Sequence, residues 1–156
     1  MKQSVYLETT IPSYATGRPS KDIIQLAHQS ITRQWWDTMR HEYDLYTSIY
    51  TENECKKGDF EAAQKRLDFI EGIPLLPLTN DVYSLAKIYM DILPIPSDSK
   101  NDTVHLAICV INQIDYLLTR NCKHLGPLTM RKVQSYNEKS GLFSPVLATP
   151  EAFFYI

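Results

Sequence analysis

Oxygen-bearing side chains lie beside apolar runs in four separate parts of the chain. Glu8 directly follows an apolar run, and Asn121 lies three residues after another. Asp102 precedes a His-Leu-Ala segment, and Glu54 comes six residues after Ser48. Carboxylate and amide oxygens are the ligands that a hard divalent cation prefers. If the four side chains converge in the folded chain, they form an oxygen-rich pocket for such a cation.

The alternation of strand and helix patterns predicts a fold that can bring these residues together. Strand-like apolar runs are separated by segments with apolar residues at helical spacing. This alternation predicts a three-layer α/β domain whose central sheet is mainly parallel. Ligand sites in such sheets lie beyond the carboxyl ends of the strands, where Glu8 and Asn121 fall. The predicted strands cover residues 4–8, 43–47, 73–78, 114–119 and 145–148.

The predicted helices follow from capping residues and apolar faces. Ser48, Asp59 and Thr79 are typical N-terminal caps, and helices are expected after each of them. Residues 9–19 are expected to form a loop, because proline and glycine recur there. Further helices are expected at about 98–111 and 130–139, with a final helical turn near 149–151. A long amphipathic helix is expected from Ser20, with an inward face of Ile23, Ile24, Ala27, Ile31, Trp35 and Met39.

Composition narrows the class of protein. The 156 residues are 44% hydrophobic and 22% charged, which favours a single globular domain over 1–156. No apolar run approaches the roughly 18 residues of a membrane span, and the first residues do not resemble a signal peptide, so a cytoplasmic protein with no membrane contact is expected. A net charge of −2 argues against tight, sequence-independent DNA binding. Three widely spaced cysteines argue against a disulfide framework.

Four segments of the chain resemble PIN domains, the nuclease fold shared by VapC-type toxins of toxin–antitoxin pairs and by several RNA-processing enzymes. They occur in the family's order and span most of the chain. The segments are VYLETT at 5–10, ECKKGD at 54–59, DTVHLA at 102–107 and LLTRNCKH at 117–124. The resemblance implies a PIN-like three-layer α/β/α fold, bound Mg²⁺ or Mn²⁺, and endonucleolytic cleavage of RNA. It also implies a toxin of a type II pair, with a cognate antitoxin as partner.

The same resemblance assigns roles to positions of this sequence. Glu8 stands where the family usually has Asp, and Asn121 stands where a fourth acid is common. Glu54 matches the family's Glu, and Asp102 matches its most recognisable Asp. The implied metal ligands are Glu8, Glu54 and Asp102, with Asn121 as a fourth catalytic position. We interpret the unusual Glu and Asn as the trait of a sub-branch of the family.

Polar neighbours of these positions are candidates for supporting roles. By the resemblance, Thr10 matches a hydroxyl residue that often supports the first acid, and Thr119 matches another polar neighbour. Asp98 lies one helical turn before Asp102, where it either adds an oxygen or only favours the helix start. His105, on the same helical face, is either a hydrogen-bonding neighbour of the site or a packing histidine. Candidate contacts to RNA phosphates are Arg18, Lys100, Arg120, Lys123 and His124.

A PIN-like binding module without effective catalysis is the alternative that the departures at Glu8 and Asn121 leave open. Such a module would bind protein or RNA. An apolar surface made by the Trp35-Trp36 pair and by residues 153–156 would then contact a partner or a second copy of the chain, as in a homodimer. A nucleotide-dependent enzyme is disfavoured, because the sequence has no Gly-rich phosphate loop.

Overall fold

The secondary structure is taken from a computed structural model, which describes residues 1–93, 100–121 and 125–155. The strands in these ranges are β1 (Ser4–Leu7), β2 (Asp44–Ser48), β3 (Leu75–Leu76), β4 (Tyr116–Leu118) and β5 (Val146–Ala148). The α-helices are α1 (Thr10–Thr16), α2 (Ile23–Met39), α3 (Ile49–Cys55), α4 (Phe60–Ile70), α5 (Asn80–Ile92), α6 (Lys100–Ile111) and α7 (Pro127–Lys139). Short 3₁₀ helices cover Arg40–Glu42 and Pro150–Tyr155.

The strands form a parallel sheet in the order β3-β2-β1-β4-β5. β1 lies in the middle, where Val5 is in register with Leu45 of β2 on one side and with Tyr116 of β4 on the other. The chain first builds β2 and β3 on one side of β1, and then crosses over to build β4 and β5. The connections therefore diverge between the carboxyl ends of β1 and β4, which is where ligands bind in sheets of this kind.

Side chains of β1 enter cores on opposite faces of the sheet, because successive residues of a strand alternate in direction. Tyr6 belongs to a core shared with α5, α6 and α7. Val5 and Leu7 belong to a second core, which includes Trp35 of α2 and Phe153 of the C-terminal 3₁₀ helix. Helices thus cover both faces of the sheet. The predicted three-layer α/β/α fold with a parallel central sheet is confirmed.

The predicted helix caps are confirmed by their hydrogen bonds. The side chains of Ser48, Asp59 and Thr79 each accept a hydrogen bond from a backbone N–H in the first turn of the helix that follows. Four of the five strands are shorter than predicted, most clearly β3, and β2 keeps its predicted length but is shifted by one residue. At β3, Pro74 and Pro77 flank the two paired residues, and proline cannot donate to a strand ladder.

The prediction that residues 9–19 form a loop is wrong, because α1 covers Thr10–Thr16. Pro12 occupies the third position of this helix. The first N–H groups of any helix have no partner within it, so a proline at this place removes no hydrogen bond. Pro12 therefore does not interrupt the helix, although it resembles a breaker in the sequence. The consequence for the site is that Thr9 and Thr10 lie at a helix start rather than in an irregular loop.

The predicted inward face of α2 is correct only in the second half of the helix. Asp22, not Ser20, caps α2 by accepting from the N–H of Gln25, and Ile23 and Ile24 are 80% and 65% exposed. The helix is about 25 Å long, whereas the strands span only about 7 to 17 Å. Its first two turns therefore extend past the sheet, and burial begins near Gln29. None of the described helices is both long and apolar enough to cross a membrane.

The apolar surface predicted from Trp35-Trp36 and residues 153–156 is largely internal, so this prediction is wrong for most of its members. Trp35 is fully buried against Phe153, with ring centroids 5.6 Å apart. Trp36 packs on Phe69 at 4.1 Å. Tyr155 is exposed, and residue 156 lies outside the described residues.

Candidate active site

The predicted catalytic residues gather near one end of the sheet. Glu8 directly follows β1, and Asn121 lies just beyond β4. Glu54 lies in the last turn of α3, and Asp102 lies in the first turn of α6. Hydrogen bonds between side chains join these segments to one another.

Glu8 is held by Thr10 and Thr119, two of the residues for which the family resemblance implies a supporting role. Its Oε1 atom accepts hydrogen bonds from the backbone N–H of Thr10 at 2.9 Å, from Thr10 Oγ1, and from Thr119 Oγ1 at 2.9 Å. The side chain is largely buried, at 7% exposed. Within the described part of the chain, the other oxygen, Oε2, has no hydrogen-bond partner. The protein therefore holds Glu8 through one of its two carboxylate oxygens.

Asn121 connects Glu8 to Asp102. Its backbone N–H donates to Thr119 Oγ1 at 2.9 Å, and the same hydroxyl donates to Glu8. Its side-chain Nδ2 makes a long hydrogen bond of 3.4 Å to Oδ1 of Asp102, which is itself 8% exposed. Three of the four predicted catalytic residues are thus linked through one threonine hydroxyl and one amide.

Glu54 is held on the other side of the pocket. Its Oε1 accepts hydrogen bonds from Thr9 Oγ1 and from His105 Nε2, the latter at 2.7 Å. Burial of this carboxyl acts to raise its pKa, but the hydrogen bonds from His105 and Thr9, with the nearby Lys57 ammonium, outweigh burial, so the pKa lies below its ordinary value. Glu54 is therefore ionised at neutral pH, and its Oε2 has no hydrogen-bond partner among the described residues.

His105 is a hydrogen-bonding neighbour of the site as well as a core residue. Its ring is 1% exposed, and its Nδ1 lies 2.6 Å from the phenol oxygen of Tyr6. That phenol oxygen also lies 2.8 Å from Ser48 Oγ and 3.2 Å from Thr51 Oγ1. Burial, more than any charge, raises the pKa of Tyr6 well above its ordinary value, so the phenol keeps its proton.

Tyr6 and Thr9 are residues of the site that the sequence interpretation missed. A signal for Tyr6 was present, because it lies two residues before Glu8 in a strand, and residues at this spacing share a face of the sheet. Thr9 was passed over because residues 9–19 were interpreted as a loop. In the folded chain, Thr9 contacts Glu54, and the next residue, Thr10, contacts Glu8.

Among the described residues, the side chains of the predicted phosphate-binding residues Arg18, Lys100 and Arg120 make no hydrogen bond or ion pair with Glu8 or Glu54. The side chain of Arg120 is 2% exposed, forms an ion pair with Glu151, and donates from Nη2 to the carbonyl of His28 at 2.7 Å. Its guanidinium therefore joins α2 to the C-terminal 3₁₀ helix, and we correct its role to a structural one. Arg18 and Lys100 are exposed, and in the described ranges neither forms a hydrogen bond or ion pair with Glu8 or Glu54. Residues Asp98, Lys123 and His124 lie outside the described residues.

The carboxylate oxygens of Glu8, Glu54 and Asp102 are of the chemical type that Mg²⁺ and Mn²⁺ prefer as ligands. The described residues include no group of three or more His, Cys, Asp or Glu side chains placed to hold a metal ion, so the three-carboxylate site stays a prediction. Magnesium in proteins commonly uses only one or two carboxylates, and water and substrate phosphate oxygens complete its shell. Glu8 and Glu54 each keep one oxygen free of described partners, which suits that mode of binding.

Comparison with known proteins gives matches at the level of structure. No protein-family model matches the sequence, and no curated protein does. The fold is similar to that of a chain in the crystal structure of VapBC2 from Rickettsia felis bound to a DNA fragment from their promoter. The TM-score is 0.57 at 14% sequence identity, and the match covers 94% of this chain and 98% of that chain.

A second similar structure is the toxin–antitoxin complex from Klebsiella pneumoniae. The TM-score is 0.58 at 14% identity, over 94% of this chain and 97% of that chain. The coverage is nearly complete in both directions, so the likeness concerns the whole fold rather than one motif. At this level of identity the likeness establishes the fold alone. The chain therefore has the PIN-like α/β fold found in these VapBC and toxin–antitoxin structures.

Proposed function

We propose that this chain is a metal-dependent endoribonuclease that hydrolyses phosphodiester bonds in RNA. The observation that carries the proposal is the link from Glu8 through Thr119 and Asn121 to Asp102, at the carboxyl end of the sheet. This end is where parallel sheets bind their ligands. The PIN-like fold adds support, because the segments that carry these residues resemble the motifs of a nuclease family.

Glu8, Glu54 and Asp102 are the residues that would hold Mg²⁺ or Mn²⁺. When bound, the ion activates water as the nucleophile and offsets the negative charge that develops on the phosphate. The chain prepares the site by fixing one oxygen of each glutamate with hydrogen-bond donors. The amide of Asn121 orients Asp102. No side chain of the protein has to act as a nucleophile in this reaction.

Cleavage of a mixed pool of single-stranded RNA in the presence of Mn²⁺ tests the proposal. The full chain is expected to fragment the pool, and a chelator is expected to stop the reaction. Asp102→Asn is expected to slow cleavage by about 100-fold or more, since the metal site loses a charge worth several kcal/mol in the transition state. Asp37→Asn, at an exposed acid of α2, is the matched control and should leave the rate unchanged. Cleavage that persists in the Asp102 variant, or in chelator, contradicts the proposal.

We also propose that the chain is the toxin of a type II pair, with a cognate antitoxin as its partner. The support is that the similar structures are a VapBC2 assembly and a toxin–antitoxin complex. Inducible expression of the chain in a bacterial host is expected to arrest growth. Coexpression of a small reading frame adjacent to its gene should relieve the arrest, and Asp102→Asn should remove it. Growth that is equal with and without the intact chain argues against a toxin.

A second candidate is a PIN-like module that binds RNA or protein without cleaving RNA. The observation in its favour is that Asn121 donates its amide to Asp102, where a fourth carboxylate is common in the family. The binding module predicts RNA retention in a gel-shift assay, no cleavage at any Mn²⁺ concentration, and no effect of Asp102→Asn on cleavage. The cleavage experiment therefore decides between the two candidates.

A further inference from the structure

We propose that Tyr6 and His105 are positioning residues that hold one oxygen of Glu54, so that its other oxygen is presented to a metal ion. The inference rests on the proposed function, because it gives Glu54 a metal to bind. It goes beyond that function by assigning roles to a buried tyrosine and a buried histidine that do not themselves touch metal or RNA. The contacts lead from Glu54 inward to the core, through His105 and then Tyr6.

The first step is the bond between His105 and Glu54. An ionised carboxylate can only accept hydrogen bonds, so the ring nitrogen that lies 2.7 Å from Glu54 Oε1 must carry the proton. His105 therefore donates from Nε2. Because the ring is 1% exposed, water does not compete for this bond. Glu54 Oε1 is thereby occupied, together with the bond from Thr9, and Oε2 remains for the ion.

The second step is the bond between Tyr6 and His105. In a ring that carries its single proton on Nε2, Nδ1 is an acceptor. The hydrogen-bond partner of Nδ1 is the phenol oxygen of Tyr6, at 2.6 Å. Tyr6 keeps its proton, so it can donate to Nδ1 and hold the histidine in the tautomer that points N–H at Glu54. Tyr50 also packs edge-on against the imidazole, with centroids 5.3 Å apart, which restricts the tilt of the ring.

The third step is the anchoring of Tyr6 to the helix that carries Glu54. Tyr6 lies 2.8 Å from Ser48 Oγ and 3.2 Å from Thr51 Oγ1. Ser48 is the N-terminal cap of α3, and Glu54 lies in the last turn of the same helix. An isolated helix of seven residues is not stable in water. The contacts from Tyr6 and His105 therefore fix both ends of α3 relative to β1 and α6.

A purely structural role does not account for this choice of residues. Burying a phenol and an imidazole costs free energy unless each is hydrogen-bonded, and an apolar pair would fill the same core without that requirement. Ligating carboxylates are commonly oriented by hydrogen bonds from neighbouring side chains, and loss of such a partner typically weakens metal binding by 10- to 100-fold. That magnitude is the expected size of the effect at His105.

Binding of Mn²⁺ alone to the full chain, followed by electron paramagnetic resonance of the free ion, tests the proposal. His105→Leu is expected to weaken binding by about 10- to 100-fold. His105→Gln, which can still donate to Glu54, should restore part of the loss, and Tyr6→Phe should weaken binding less than His105→Leu. Tyr89→Phe is the matched control. Tyr89 is a fully buried tyrosine in the same core as Tyr6, and it donates to Asn137 at 2.5 Å, so its loss should lower stability without changing Mn²⁺ affinity.

Nitrogen-15 chemical shifts of the His105 ring give a second readout, which does not depend on metal. The wild type is expected to show a proton on Nε2 only, and Tyr6→Phe is expected to shift the ring towards a mixture of tautomers. A ring protonated on Nδ1 in the wild type overturns the role given to Tyr6. Equal Mn²⁺ affinity in the wild type and in His105→Leu overturns the role given to His105.

Failure of this inference can be told apart from failure of the proposed function. If the wild type binds Mn²⁺ and the variants weaken binding as expected, but no RNA is cleaved, then the nuclease proposal fails and the positioning roles stand. If RNA is cleaved and the variants bind Mn²⁺ as the wild type does, then only the positioning roles fail. A wild type that binds no Mn²⁺ at millimolar concentration overturns both.

Discussion

The two glutamates of the site are held by two different kinds of structure. Glu8 belongs to one half of the site, called the β1–β4 half. Its hydrogen-bond partners there are Thr10, two residues further on, and Thr119, just past the neighbouring strand. Glu54 belongs to the other half, called the α3–α6 half, where His105 contacts Glu54 and Tyr6 in turn contacts His105. The first half follows directly from the way parallel strands end at one edge. The second half depends on side chains that meet in the core.

This difference implies that the two halves respond differently to mutation. In the β1–β4 half, a backbone N–H and two hydroxyls share one carboxylate oxygen, so no single side chain is indispensable. In the α3–α6 half, Glu54 depends on the hydrogen bond from His105, and His105 depends on its contact with Tyr6. A substitution at Tyr6 should therefore alter the position of Glu54. Substitutions in each half can therefore test whether the two glutamates differ in how strongly they depend on single side chains.

The largest effect is expected from Glu8→Gln. The amide oxygen can still accept from Thr10 and Thr119, so the fold should be kept while one negative charge is lost from the metal site. We expect RNA cleavage to fall by about 100-fold, which corresponds to about 2.7 kcal/mol in the transition state. Initial rates at saturating Mn²⁺ measure the effect. Glu52→Gln, which removes a carboxylate from the surface of α3, is the control. An equal rate of cleavage for the wild type and Glu8→Gln would be inconsistent with a metal role for Glu8.

Arg120→Met tests how the β1–β4 half is anchored. The guanidinium donates from Nε to Thr32 Oγ1 at 2.9 Å and pairs with Glu151, and both contacts are lost in the variant. We expect the free energy of unfolding to fall by about 2 to 3 kcal/mol. Urea denaturation followed by circular dichroism measures it. Arg18→Met, at an exposed position, should change stability by less than about 0.5 kcal/mol, and equal losses for the two variants would exclude the anchoring role.

Thr10→Val removes a single hydroxyl group from the β1–β4 half. The Thr10 hydroxyl donates to Glu8 and accepts from the backbone N–H of Arg120 at 2.8 Å. The variant leaves that N–H without its partner and should cost about 1 to 2 kcal/mol of stability. Thr10→Ser keeps the hydroxyl and serves as the control. If valine and serine destabilise the fold equally, then the methyl group rather than the hydroxyl is important here.

The smallest effect is expected from the pH dependence of the α3–α6 half. Burial favours the neutral form of Glu54, but His105, Thr9 and Lys57 together lower its pKa below the ordinary 4.5. A lowered folded-state pKa means that ionised Glu54 stabilises the fold above about pH 4.5, and that this contribution is lost as pH falls through the folded-state value. The difference in unfolding free energy between wild type and Glu54→Gln should therefore shrink as the pH drops below 4.5. A difference that stays constant from pH 7 to pH 3 would contradict this assignment.

The β1–β4 half could be predicted from the sequence because its residues lie within a few positions of strand ends. Apolar runs locate the strand ends, and the parallel topology brings them to one edge of the sheet. The α3–α6 half could not be predicted in the same way. Tyr6 and His105 are 99 positions apart, and only the packing of α6 on the sheet brings them into contact. The sequence predicted a buried strand around Tyr6 and left a packing role for His105 open, but it did not pair the two residues.

The errors in the predicted elements have a similar origin. Pro12 resembles a helix breaker, and only its place in the first turn of α1 makes it harmless. Ile23 and Ile24 have helical spacing, but the spacing does not say that α2 is longer than the sheet it covers. Arg120 resembles a phosphate-binding residue, and its burial against Glu151 depends on the position of the C-terminal 3₁₀ helix. In each case the local pattern led to a wrong prediction, because the surroundings of the residue decided the outcome.

The start of α1 mechanically couples the two halves. Thr9 contacts Glu54 and Thr10 contacts Glu8, so a single peptide unit touches both carboxylates. A rigid shift of the first turn of α1 would displace both donors together and would change the spacing of the glutamates in one movement. The first turn of α1 therefore acts as a common ruler for the separation of the two glutamates.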